Sequence, residues 1–165
     1  MFQATPTEAA AGSLHDLGRA ERVFLWGFRA LVQHHRDGTV GYADIQATFE
    51  HFGVEEALPS LDSVLRVFAL MSHRPLSLYC TGCANLSESE ASLISAAAAA
   101  QVGRIEGART ELERWILPSA ADWVWTQLYR IGRIFEAADL CLVARQRRRE
   151  PAGLRVVGGG KVRLH

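Results

Sequence analysis

Residues 119–142 read SAADWVWTQLYRIGRIFEAADLCL. Apolar side chains fall at Val124, Leu128, Ile131, Phe135, Ala138 and Leu142, at spacings of 4, 3, 4, 3 and 4. That is the period of one buried face of an α-helix. Ser119 with Asp122 supplies a start signal, and Pro118 closes whatever precedes it. This stretch sets the fold class, because the other apolar stripes upstream share its period.

Working backwards, Ser87 with Glu90 is a capping-box pattern. The spacing predicts one long helix from there to Pro118. It carries five successive alanines, Ala96 to Ala100, then Gly103 and Gly107. Alanine favours helix, and small residues let a second helix approach closely. This helix and the last one are expected to form the central pair. A third segment, about Ser60 to Ser72, turns Leu61, Val64, Leu65 and Phe68 inward, and Pro75 ends it. Tyr42, Ile45, Phe49 and Phe52 mark a shorter helix stopped by Gly53. At the start, Ser13 with Asp16 opens a helix whose stripe is Leu14, Leu17, Phe24, Phe28, Leu31 and His35, interrupted at Glu21. Gly38 ends it. The predicted fold is all-α: a single-domain bundle of about five helices spanning 13–144. Residues 1–12 read as a flexible N-terminus, and 145–165 as a basic, Gly-rich, mobile tail.

Composition agrees. The chain has 165 residues, 48% hydrophobic, enough for a core without metals or disulfides. Eighteen basic side chains balance eighteen acidic ones, so no global field draws it to nucleic acid or anionic lipid. No apolar run is long enough for membrane insertion, and no basic, apolar leader opens the chain. The cytoplasm is the default compartment, in which Cys80, Cys83 and Cys141 are expected as thiols.

One segment breaks the helical rule. Leu76 to Leu86 contains Ser-Leu-Tyr-Cys-Thr-Gly-Cys, an extended piece followed by a tight turn, between the third and fourth helices. Cys80 and Cys83 at this spacing suit one metal ion, a reversible disulfide, or a merely structural turn. Zinc takes four ligands, and only half a motif is present. His73, Cys141 or a histidine of the first two helices are the candidates to complete it. Redox work needs an acidified thiol, and Glu88 and Glu90 at the next helix start disfavour a thiolate. Helical proteins of the alkylhydroperoxidase D type carry a Glu four residues before the first Cys and a His four after the second. Leu76 and Ser87 stand in those places, so the chain does not resemble them.

The first helix offers a second candidate. Arg19, Arg22, Trp26, Arg29, Gln33 and Arg36 share one stripe opposite the apolar one. Its plain reading is a solvated face, with arginines covering an indole. Its functional reading is a contact surface for a second copy of the chain or another protein, since Trp and Arg anchor interfaces. His35 is expected as a core histidine, and Glu21 as the partner of Arg130 or Arg133. Residues 33–44 mimic the second half of a calcium-binding loop, but Gln33 and His35 occupy the positions where carboxylates are needed. Arg145, Arg147, Arg148 and Arg149 form a basic cluster without the aromatic interleaving of a nucleic-acid surface.

No hydrolase elbow, phosphate loop or dinucleotide fingerprint is present. The leading expectation is therefore a non-enzymatic protein-interaction or regulatory domain, self-associating as a homodimer through the Arg/Trp face. A zinc or thiol-redox protein centred on Cys80 and Cys83 is the alternative, and nucleic-acid binding through the terminal arginines is the third.

Overall fold

The computed structural model describes residues 10–143. The order is β1 (Gly12–Ser13), α1 (Arg19–Asp37), α2 (Tyr42–His51), α3 (Leu58–Met71), β2 (Asn85–Leu86), α4 (Glu88–Gln101), α5 (Ile105–Leu112) and α6 (Pro118–Ala137). Two 3-10 turns, Leu14–Asp16 and Glu55–Ala57, precede α1 and α3. The all-α expectation holds. α4 packs against α5 and α6, and α6 also packs against α3, so the predicted α4–α6 pair lies at the centre.

The α6 stripe is buried as its period requires: Val124, Leu128, Ile131 and Phe135 are fully enclosed. Phe135 meets Phe24 of α1 edge-on at 6.3 Å, and Phe28 of α1 meets Phe68 of α3 at 6.3 Å. These aromatic contacts tie three helices to one core. All five alanines of the run Ala96 to Ala100 in α4 are buried. At Gly132 an added Cβ would lie 2.7 Å from the Gln101 Cα, so α6 and α4 touch backbone to backbone there.

Several boundaries differ from the sequence reading, each for a local reason. The helix expected from Ser87 to Pro118 is two helices. Gly103 adopts φ +72 and turns the chain between α4 and α5. Six α-helices, not five, therefore stand among the described residues. Ser13 does act as a cap, accepting from the His15 N–H, but it caps the 3-10 turn. α1 begins only after Gly18. α3 starts at Leu58, with Pro59 in the first turn, where its missing N–H costs nothing.

Residues 11 and 12 were expected to be loose, yet both are paired. The Ala11 N–H donates to the Leu86 carbonyl at 2.7 Å, and Gly12–Ser13 lies antiparallel to Asn85–Leu86. Glu21 meets neither Arg130 nor Arg133. Its Oε1 accepts from the Val143 N–H at 2.7 Å, and Arg133 pairs with Glu136. His35 is exposed rather than internal, and its Nε2 meets Asp62 of α3.

The calcium-like stretch is a helix end. Asp37 Oδ1 accepts from the Thr39 N–H (3.0 Å) and hydroxyl (2.6 Å), while Oδ2 accepts from Arg36 Nε at 2.8 Å. The Thr39 hydroxyl, then its N–H, then Arg36 hold this carboxyl down to about 2 from an ordinary 3.8. A lowered folded-state pKa stabilises fully above about 3.8, and that contribution is lost as pH falls through about 2. The Asp37 carboxyl carbon, followed by NMR, is expected to titrate with a midpoint near 2. A midpoint at the ordinary value would show that the Thr39 turn is not formed.

No helix among the described residues is long and apolar enough to cross a membrane. The predicted tail, with Arg145, Arg147, Arg148 and Arg149, lies outside the described residues.

Candidate functional site

The irregular segment is pinned at both ends by buried leucines, Leu76 and Leu86. Between them the chain turns back on itself, and the Cys83 N–H donates to the Cys80 carbonyl at 3.1 Å. Cys80 and Cys83 are joined in a disulfide, with Cα atoms 5.2 Å apart. This corrects the expectation of two free thiols. A four-residue turn already brings the two side chains within bonding reach. Cys80 is exposed, and Cys83 is half-buried.

Beneath the turn lies Arg29, whose side chain is 1% exposed. The sequence reading placed it on an open face with Arg19, Arg22, Trp26, Gln33 and Arg36. Instead the segment 76–86 covers that part of α1. Arg29 Nε donates to Glu90 Oε1 at 2.7 Å, and Nη2 donates to Glu90 Oε2 at 2.8 Å. Nη2 also donates to the Asn85 carbonyl at 2.7 Å. Nη1 donates to both cysteine carbonyls, Cys80 at 3.0 Å and Cys83 at 2.8 Å. Five acceptors thus meet the five donors of a guanidinium. The bidentate pairing to a carboxylate is the strong form of such a contact.

Glu90 is equally saturated. Besides the two bonds from Arg29, its Oε1 accepts from the Tyr79 N–H at 3.0 Å and its Oε2 from the Ser87 N–H at 2.9 Å. The second of these completes the capping box that the sequence announced, with Ser87 Oγ accepting from the Glu90 N–H. One residue therefore caps α4, pairs with Arg29 and holds the segment leading to Cys80. Gln33, one turn further along α1, accepts from the Thr81 N–H at 2.9 Å, in the middle of the disulfide loop. The Arg29 guanidinium also lies 5.8 Å from the Tyr79 ring centroid.

Glu90 is neutralised by Arg29, and Glu88 by Arg114. Both charges that were expected to oppose a negative sulfur are spent on arginines.

The zinc set does not assemble. The two sulfurs are bonded to each other, and a disulfide offers no thiolate ligand. His73 is held at the α5–α6 connection, with its N–H on the Trp115 carbonyl and its Nε2 3.1 Å from the Glu113 carbonyl. Cys141 is an exposed free thiol beside Leu142, whose N–H binds Gln101 at the end of α4. The disulfide lies before the start of α4, so the helix separates the two by roughly 20 Å along its axis, at 1.5 Å per residue. No group of three or more His, Cys, Asp or Glu among the described residues is placed to hold a metal ion.

The remaining members of the Arg/Trp stripe have partners within the chain. Arg19 lies 5.2 Å from the Phe52 ring, Arg22 donates to the carbonyls of Leu17 and His15, and Arg36 pairs with Asp37. Trp26 is half-buried against the core. The Arg29–Glu90 pairing was not visible in the spacing. The only signal was an Arg in α1 and an acid at the third position of α4, 61 residues apart. No family model matches the chain, and no curated protein or solved structure matches it either.

Proposed function

We propose that this protein carries out thiol–disulfide exchange through Cys80 and Cys83. The observation that carries this reading is the way the loop is built. A disulfide closing only four residues removes little chain entropy, about 2 kcal/mol on the loop-closure model, so it is a weak staple. The loop does not depend on it. Arg29, Gln33 and Glu90 hold the backbone on both sides of the bond and across its middle. A surface disulfide that its surroundings can spare is suited to being broken and remade.

The exposed Cys80 is the point of attack. A thiolate of a dithiol substrate displaces Cys83 from the Cys80 sulfur and forms a mixed disulfide at Cys80. Cys83 leaves as a thiolate and takes up a proton. The second thiolate of the substrate then attacks its own mixed-disulfide sulfur and releases Cys80. Two electrons and two protons pass from the substrate to the cysteine pair, and the reverse sequence oxidises the pair against a disulfide-bearing partner. The protein-contact reading has less support, because Arg29 is withdrawn from the proposed face and its charged neighbours are engaged inside the chain.

Removing the resolving thiol tests the proposal. Cys83→Ser, presented with oxidised glutathione, is expected to accumulate a glutathione adduct on Cys80, detected by intact mass and peptide mapping. Cys141→Ser is carried as background in that variant. An adduct that does not form, or that forms no faster than on Cys141 in the unaltered chain, would contradict the reading.

A further inference from the structure

Resting on the exchange reading, we propose that Arg29 is a positioning residue for the reaction. Its guanidinium holds the carbonyls of both cysteines and so sets how readily the two thiols re-form their bond. One nitrogen, Nη1, spans the turn: it binds Cys80 at 3.0 Å and Cys83 at 2.8 Å. The two residues that must approach are therefore fixed to a single atom, which is itself fixed by the Glu90 pair on the other edge of the guanidinium. These contacts are all to backbone oxygens, so they do not require the sulfurs to be bonded. In the reduced protein they keep the two cysteines at the separation seen in the oxidised one.

The equilibrium constant for closing an intramolecular disulfide is the effective concentration of one thiol at the other. A turn clamped in its closing geometry raises that concentration, and a loosened turn lowers it. Lysine cannot replace arginine here. It keeps the charge, but its single ammonium has three donors and no planar fork, while five acceptors wait. Gln33 contributes in the same sense through the Thr81 N–H, with one bond instead of five.

The test is the reduction potential of the folded protein, read in dithiol redox buffers by alkylation of the thiols and intact mass. Arg29→Lys is expected to lower the closing constant about tenfold, which raises the potential by about 30 mV. Gln33→Ala, at a half-buried and more tolerant position, is expected to move it in the same direction by less. Gly132→Ala, on α6 against the far end of α4, loosens the bundle without touching the loop. It serves as the control for mere destabilisation and is expected to leave the potential unchanged. Should Arg29→Lys fail to fold, Gln33→Ala decides the matter. Both variants folded with the wild-type potential, or a shift of equal size in Gly132→Ala, would overturn the positioning role while leaving exchange intact. A wild-type pair that resists reduction in the folded protein would overturn both.

Discussion

Arg29→Met is expected to destabilise the protein by about 3–5 kcal/mol, the cost of leaving one member of a buried ion pair alone. Glu90 is fully buried and would be left with only the N–H groups of Tyr79 and Ser87 as partners. Three carbonyls, those of Cys80, Cys83 and Asn85, would lose their donor in the same step. For a chain of this length, a loss of that size lowers the melting temperature by about 10–15 °C. Urea unfolding of the variant measures it directly. The double variant Arg29→Met/Glu90→Met is expected to be more stable than the two single losses predict, by at least about 1 kcal/mol, because the stranded charge is gone. A single variant within about 1 kcal/mol of wild type would mean that Arg29 is not the internal clamp described above.

The second large effect is expected at the crossing of α4 and α6. Gly132→Ala places a Cβ 2.7 Å from the Gln101 Cα and 2.8 Å from its Cβ. Contacts that close do not persist between real atoms, so the helices must separate. Alanine gains about 1 kcal/mol of helix propensity over glycine. Overpacking against a rigid helix backbone costs more, and the net loss is expected to be about 2 kcal/mol. The damage also has a local signature. Buried Gln101 donates through Nε2 to the carbonyls of Gly132 (3.0 Å) and Leu140 (2.9 Å), and accepts from the Leu142 N–H at 2.7 Å. Pushing Gln101 aside therefore frees the segment after α6, and hydrogen exchange at Leu142 is expected to speed up more than in the rest of the core. Gly107→Ala is the control. Its Cβ would sit an ordinary 3.5 Å from the Ala99 side chain, so it is expected to be neutral or slightly stabilising. If both variants behaved alike, the close approach would not be what glycine serves at position 132.

These two sites show where sequence reading succeeds and where it stops. The α6 stripe was legible because a 3.6-residue period depends only on the chain's own neighbours. So was the Ser87–Glu90 capping box, which closes over three residues. The alanine run correctly pointed to α4 as a helix that others approach closely, and it packs against both α5 and α6. The same reasoning treated Gly103 and Gly107 as packing residues inside one long helix. Gly103 instead turns the chain in the left-handed region, and position 107 has room for a methyl group.

Arg29 is the instructive failure. A stripe analysis sorts arginine to the outside, because burying a lone charge is prohibitive. It cannot know that a segment 51 to 56 residues further along will fold over the helix and bring three carbonyls, or that the acid of a helix cap will supply the counter-charge. The thiol pair itself was found from the sequence as the irregular spot in a helical chain. The α1 contacts that hold its loop, on which the exchange proposal rests, join parts distant in sequence.

The central claim is that this loop is held by the Arg29 network and not by its disulfide. Comparing the unfolding free energies of the oxidised and reduced protein, by urea denaturation with and without a dithiol reductant, tests it most directly. The reduced protein is predicted to keep its helical circular dichroism and a single cooperative transition, at a cost of no more than about 2 kcal/mol. Loss of that transition on reduction would show that the bond is a structural staple, and would contradict the account.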